Sequence, residues 1–223
     1  MTELLRKGAR RPGGHVAAAR ITRSRYDRAA PVYDIVEAPL ERVRYRRWRA
    51  LVWDRVRGRR VLEVGVGTGR NFPFHPPGCE VIGLDLSRRM LRRAEARVGM
   101  SPARVRLNIM DAQDLSFRSG VFDGAVATFV FCSVPDPVRG LKEVRRTLAP
   151  GGRLVLLEHV RSSRPGLGRI MDLVNPLMVR ITGANINRDT VSNVTRAGFR
   201  VTRVTELDSV GIFRLIEAET PAG

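Results

Sequence analysis

The stretch Val61-Leu62-Glu63-Val64-Gly65-Val66-Gly67-Thr68-Gly69 decides how this chain folds. Val61 to Val64 is a short apolar run suited to a buried strand, and glycine then recurs at every second position. Glycine lets such a turn take positive φ and brings its backbone close to a ligand at the mouth of the following helix. The spacing is G-x-G-x-G, unlike the dinucleotide pattern G-x-G-x-x-G, so the surrounding residues must carry the assignment. Glu63 stands two residues before the first glycine. A second acid, Asp85, ends the next apolar run, Val81-Ile82-Gly83-Leu84-Asp85, where a carboxylate can accept both hydroxyls of a ribose. A third follows a later run in Met110-Asp111-Ala112-Gln113-Asp114-Leu115. Each acid taken singly reads equally well as an ordinary loop residue. Together, at successive strand ends, they converge on one crevice at the carboxyl edge of a sheet.

The remaining chain alternates strand-like and helix-like runs. Glu80 to Leu84, Arg104 to Ile109, Phe122 to Phe129 and Arg153 to Glu158 are strand-like, at intervals suited to crossover helices. Ser87 to Val98 opens on an N-cap serine and carries Leu91 and Ala94 at helical spacing. Pro137 to Leu148 carries Val138, Leu141, Val144 and Leu148 before Pro150-Gly151-Gly152. Phe199 to Leu207 and Gly211 to Glu219 are separated by Asp208-Ser209-Val210 alone, which predicts an antiparallel hairpin at the end of the sheet. The expected fold is α/β: a mostly parallel sheet with helices on both faces and an antiparallel terminal hairpin.

Composition narrows the class. The 223 residues carry 40 Lys plus Arg against 22 Asp plus Glu, a formal charge of +18, with 43% hydrophobic residues and two cysteines. A chain of this length and apolar content builds a core without disulfides, which excludes a disordered chain and a disulfide scaffold. No run approaches the roughly 20 apolar residues of a membrane-spanning helix, and Arg6, Lys7, Arg10 and Arg11 precede no apolar signal-peptide run; a cytoplasmic protein is expected. Arg supplies 38 of the 40 cations, a skew that G+C-rich codon usage also produces. Residues 1 to 60 hold 17 Arg or Lys and six acids, so +11 of the +18 sits in about a quarter of the chain. That field attracts phosphate, on nucleic acid or on anionic lipid. The expected organisation is a basic helical arm or lid over 1–58 and a core over 59–223, with a substrate-side insertion at about 161–190. No clustered Cys and His set suggests a metal.

These residues resemble the class I S-adenosylmethionine-dependent methyltransferases, a Rossmann-like fold with a seven-stranded sheet. The resemblance covers about residues 60 to 160 by motif, includes Leu148-Ala149-Pro150-Gly151-Gly152-Arg153-Leu154, and reaches the C-terminus through the hairpin. It implies that S-adenosylmethionine is the methyl donor and S-adenosylhomocysteine the product, with no metal. By that analogy Gly65, Val66, Gly67, Thr68 and Gly69 cradle the methionine part, Glu63 reaches its ammonium through water or backbone, and Asn71 follows the same turn. Asp85 binds the ribose, Asp111, Ala112 and Gln113 hold the adenine, and Leu86 and Met90 flank its ring. Thr128 and Phe129 face the reacting centre. The sulfonium is already activated, so alignment of the nucleophile supplies most of the help.

The acceptor is read from the flanks. The Pro-Pro-aromatic pattern of base amino-methyltransferases is absent at Thr128-Phe129-Val130-Phe131-Cys132-Ser133, and Cys132 lacks the Pro-Cys context of a cytosine nucleophile, so it reads as buried filler. Tyr26-Asp27-Arg28-Ala29-Ala30-Pro31-Val32-Tyr33-Asp34, with Glu158-His159-Val160 and Asn187-Arg188-Asp189-Thr190, resembles bacterial phospholipid N-methyltransferases of the Rhodobacter type. The resemblance implies stepwise methylation of phosphatidylethanolamine at the inner face of the cell membrane, with an anionic membrane surface as partner and no obligate protein partner. Tyr26 and Tyr33 either cage the ammonium by cation–π contact or pack against sheet and cofactor. His159 is a proton acceptor or a structural residue; Arg188 clamps phosphate or pairs with Asp189. Ile170, Leu173, Val174, Leu177, Met178 and Ile181 form one helical stripe, expected more as core than as membrane contact, with a kink at Pro176. Leu40 to Val56 either lies in a headgroup layer or caps the sheet. A quinone-pathway C-methyltransferase is the rival reading, weakened by Ile35-Val36-Glu37-Ala38. A nucleic-acid-binding protein with a vestigial site is the third and weakest.

Overall fold

The computed structural model describes residues 4–5, 15–182 and 184–221; Arg6, Lys7, Arg10 and Arg11 lie outside them, as do the side chains of 15, 16, 165, 181 and 182. Seven strands form one sheet: β1 (Arg60–Val64), β2 (Glu80–Asp85), β3 (Arg104–Ile109), β4 (Phe122–Thr128), β5 (Leu148–His159), β6 (Arg200–Glu206) and β7 (Phe213–Glu219). Their order is β3-β2-β1-β4-β5-β7-β6. β1 to β5 run parallel, and β7 inserts between β5 and β6, antiparallel to both. The order reverses at β1, so the carboxyl ends of β1 and β4 flank the switch point where such sheets hold ligands.

The helices are α1 (His15–Leu40), α2 (Arg46–Asp54), α3 (Arg88–Glu95), α4 (Pro137–Thr147), α5 (Pro165–Thr182) and α6 (Thr190–Arg196). A π turn, Glu41–Tyr45, joins α1 to α2 just after Pro39. The i→i+5 winding rotates the following face and buries both Glu41 and Tyr45. Ser87 caps α3 by accepting from Met90 N at 3.1 Å, and Asp136 caps α4 by accepting from Arg139 N at 2.9 Å. β5 begins five residues earlier than expected, pairing Leu148 with Phe122 before a bulge; Gly151 supplies the positive φ that this detour needs.

Alternation along β1 splits the core. Leu62 and Val64 join Ile82, Leu84, Phe117, Phe122, Leu141 and Val144 on one face. Val61 joins Trp48, Val52, Trp53, Val56, Val126, Val155 and Leu157 on the other. The second alternative for Leu40 to Val56 therefore holds: α2 caps the sheet with three buried apolar side chains, Trp48, Val52 and Trp53, each contributing about 1.5–3 kcal/mol, while Leu40 and Val43 stay exposed.

The expectation of α5 as core is overturned. Leu173 is 81% exposed, Ile170 59% and Leu177 57%, whereas Met171 is the residue of that stretch that packs inward. The reason is polar: Asp172 accepts from Arg161 and Asn187, and Asn175 accepts from Ile186 N and donates to Asn185. Hydrogen bonding ties the polar side of the helix to the chain and turns the apolar stripe outward. Pro176 lies inside the helix.

Candidate active site

The glycine turn leaves β1 with φ of 68° at Gly65, 56° at Gly67 and 81° at Gly69. A Cβ on Gly65 would come 2.4 Å from Val130 Cγ2, so a side chain is excluded there by contact as well as by φ. At Gly67 the space where a Cβ would stand is open. Asp85 pins the turn: its Oδ2 accepts from Gly67 N at 2.9 Å and its Oδ1 from Ser87 N at 2.8 Å. Burial outweighs these bonds and pushes its carboxyl up to about 6. Both oxygens retain lone pairs for further donors.

A crevice with an internal volume of about 90 Å3 opens at this edge. Gly65, Gly67, Asp85, Leu86, Met90, Asp111, Ala112 and Thr128 line it from the core, and Tyr26 and Tyr33 line it from α1. Phe129 also lines it, with φ of 59°, the one positive φ outside glycine among the described residues. Glu158 holds this segment from behind: its Oε1 accepts from Val130 N and Phe131 N, and burial pushes its carboxyl up to about 7.

Several of the expected cofactor residues have side chains that stand behind the crevice lining. Glu63 is fully buried, with Oε1 accepting from Asn71 Nδ2 at 2.7 Å and Oε2 lying 3.0 Å from His75 Nε2. Asn71 bridges Glu63 to Thr128 and accepts from Arg49. Thr68 donates to Asp34, Val66 packs on Phe72 and Leu91, and Gly69 abuts the Phe72 ring. Gln113 donates to Asp111 and accepts from Asp136 N, steadying the acid without lining the crevice. These side chains shape the turn instead of lining it, because strand alternation points Glu63 toward α2.

The substrate-side expectations separate too. His159 lies outside the crevice, its ring edge-on to Phe213 at 5.1 Å, and burial lowers its pKa. Arg188 donates to Val134 O and lines a neighbouring cleft with Arg139, Lys142 and Arg196. Its proposed pairing with Asp189 is not made; Asp189 instead caps α6 by accepting from Ser192 N. Cys132 is buried, and burial drives its thiol far above the ordinary range, which makes it inert.

Sequence reading passed over how α1 is held. Tyr26-Asp27 and Tyr33-Asp34 repeat seven residues apart, so the tyrosines share one helical face and the aspartates another. Asp27 accepts from Ser87 Oγ at 2.6 Å and from Arg89 N. Asp34 accepts from Thr68, Arg70, Arg93 and Arg97. The seven-residue Tyr-Asp repeat was the available signal. Arg49 was hidden among many arginines; it is buried, reaches Glu41, Asn71 and Thr128, and stands 5.6 Å from the Phe129 centroid.

The site now has a class. Residues 62–156 match the family described as methyltransferase domain. The phosphatidylethanolamine N-methyltransferase of Cereibacter sphaeroides is 39% identical over 51% of this chain and 57% of its own length. The demethylmenaquinone methyltransferase of Renibacterium salmoninarum is 34% identical over 73% of this chain and 68% of its own length. Among solved structures, a SAM-dependent methyltransferase of Thermotoga maritima, described as a possible histamine N-methyltransferase, superposes with a TM-score of 0.67 at 24% identity, over 88% of this chain and 99% of that one. The chain belongs to the S-adenosylmethionine-dependent methyltransferases and is an enzyme of that class.

The residues fit that cofactor. Gly67 leaves open room, and Asp85 offers a desolvated carboxylate with free lone pairs, suited to a pair of hydroxyls. S-adenosylmethionine supplies an activated methyl group; the chain supplies the cradle, the orientation and exclusion of water. In Asp85→Asn, an amide NH2 would face Gly67 N or Ser87 N, donor against donor. Cofactor affinity is expected to fall by about 1.5–3 kcal/mol, roughly tenfold to a hundredfold, measured by calorimetry.

Proposed function

We propose that the protein methylates the amine of phosphatidylethanolamine, stepwise toward phosphatidylcholine, at an anionic membrane surface. The observation that carries this reading is a set of aromatic rings: Tyr26, Tyr33 and Phe129 line the same crevice as Asp85 and Asp111. Rings in that position stabilise a cationic head and, by excluding water, favour the neutral amine that attacks. The similarity to the Cereibacter sphaeroides enzyme supports the same acceptor.

A lipid acceptor has to be met at its surface. No described helix is long and apolar enough to cross a membrane. The outward stripe of α5, Ile170, Leu173, Val174 and Leu177, lies beside exposed Arg169 and Arg180, the pattern of an interfacial helix. Exposed Arg42, Arg44, Arg46 and Arg47 add charge, each surface Arg contributing about 1 kcal/mol of attraction to an anionic leaflet. In this reading α1 and α2 form the lid over residues 59–223, and Arg139, Lys142, Arg188 and Arg196 offer the lipid phosphate a cationic cleft beside the crevice.

A quinone ring-carbon acceptor is the second reading, favoured by the longer alignment with the demethylmenaquinone methyltransferase. Radiolabelled S-adenosylmethionine with vesicles of phosphatidylethanolamine and anionic lipid separates the two. Label is expected in mono-, di- or trimethylated lipid, with the Tyr26→Ala, Tyr33→Ala double variant losing at least tenfold in rate. Label in a demethylquinone and none in lipid would reverse the assignment.

A further inference from the structure

Glu37 stands one helical turn beyond Tyr33 on the face of α1 that carries Tyr26 and Tyr33 into the crevice. Tyr33, which lines the crevice, has its hydroxyl facing the Glu37 carboxyl. The second carboxyl oxygen, Oε2, is buried with no partner among the described residues. A buried acceptor left unmatched costs about 1–3 kcal/mol or more for a charged group, so it points to a missing donor.

The neighbours do not fill that place. Arg49 faces Glu37 but is engaged by Glu41, Asn71 and Thr128. Arg70 faces it from the glycine turn but is engaged by Asp34. Glu41 adds repulsion, and the remaining facing groups, Tyr26, Tyr33 and Tyr45, are neutral phenols. Burial raises the Glu37 carboxyl above its ordinary value, closer to the range of an effective general base.

Glu37 lies behind the crevice lining, to which Tyr33 belongs; we propose that Glu37 is the anion that takes up the proton of the acceptor's ammonium head through the Tyr33 hydroxyl. This deepens the amine-methylation reading and rests on it. The ammonium N–H passes its proton to the Tyr33 oxygen while the Tyr33 O–H proton moves to the Glu37 carboxylate, leaving a neutral amine, a neutral phenol and a carboxylic acid. The nitrogen lone pair then forms the new N–C bond as the S–C bond breaks and its electron pair stays on sulfur. The carboxylic acid returns its proton to water when product leaves. Tyr33 touches the substrate; Glu37 acts through it.

The test compares wild type, Glu37→Gln and Tyr33→Phe on phosphatidylethanolamine vesicles between pH 6 and 9.5, with two binding titrations. Cofactor affinity of Glu37→Gln by calorimetry is expected within twofold of wild type, which reports folding. At pH 7 its kcat/KM is expected to fall about 100-fold. Its rate should then climb tenfold per pH unit, because the amine must arrive already neutral, whereas wild type levels off above the Glu37 titration. An equal loss at every pH, or an unchanged profile, would overturn the proposal. The second titration uses glycerophosphoethanolamine on the S-adenosylhomocysteine complex; wild type is expected to bind at least tenfold more tightly than Glu37→Gln. Headgroup binding that depends on Glu37 without lipid methylation would sink the acceptor assignment and leave Glu37 standing. No headgroup binding by wild type, or equal binding by both proteins, would overturn Glu37.

Discussion

Arg49→Ala is expected to lose about 3–5 kcal/mol of stability. Arg49 Nε donates to both oxygens of Glu41 at 3.2 Å, and its Nη1 donates to Asn71 Oδ1 at 3.0 Å and Thr128 Oγ1 at 3.1 Å. Both partners of the ion pair are buried, with side-chain exposures of 6% and 10%. Truncation therefore strands a carboxylate away from water. The loss is a large part of the total for a typical domain, about 5–15 kcal/mol. Urea unfolding measures it directly. The companion variant Arg49→Met with Glu41→Leu should recover most of the stability, because removing both charges leaves none uncompensated. Cofactor affinity should not recover in parallel, since Thr128 and Asn71 lose the donor that fixes them at the crevice. If the single variant unfolds within about 1 kcal/mol of wild type, the network does not hold the fold together.

Asp34→Ala releases α1 from the glycine turn. The carboxylate accepts from Thr68 Oγ1 at 2.7 Å, Arg70 Nε at 2.9 Å, Arg93 Nη2 at 2.9 Å and Arg97 Nη2 at 2.7 Å. The guanidiniums are partly exposed, so the expected cost is about 2–3 kcal/mol, below that of a fully buried pair. Hydrogen exchange should quicken through α1 while β1 and β4 keep their protection. Burial alone would raise the Asp34 carboxyl, but bonds from Arg97, Arg93 and Thr68 outweigh it and hold the group well below the usual carboxylate range. The contribution is thus fully present above the unfolded carboxyl value, about 3.9, and is lost as pH falls from there toward the folded one. Wild type should lose this increment in acid, and Asp34→Ala should lack that part of the pH dependence. Because α1 also carries Tyr26 and Tyr33, the same variant should weaken acceptor use more than a surface change would.

The legibility of this chain follows from range. Glycine positions, strand-length apolar runs and caps are set by residues within a few positions of one another, so β1 to β4, α3 and the Gly65 to Gly69 turn could be read directly. The carboxylates at strand ends were legible for the same reason: a parallel sheet brings its carboxyl edges together wherever the chain alternates strand and helix. The direction of α5 was not legible. An apolar stripe reads alike whether it faces a core or solvent, and Asp172 and Asn175 fixed it through partners 10 to 15 residues away.

The same limit applied at the site. Tyr26 and Tyr33 could be singled out, but Asp34 meets Arg93 and Arg97 across 59 and 63 residues, and Arg49 meets Thr128 across 79. Nothing local separates Arg49 from the exposed arginines at 42, 44, 46 and 47. By itself the sequence determined an α/β fold, its glycine turn and the acids at its edge, because those are properties of backbone conformation and periodicity, while the methyltransferase class came from the resemblance that those motifs carry. Only the tertiary structure decided which charges are buried, which acids dock α1, which face of α5 meets solvent and which buried carboxylate oxygens lack a hydrogen-bond partner, because burial and pairing arise between elements that the chain brings together from far apart.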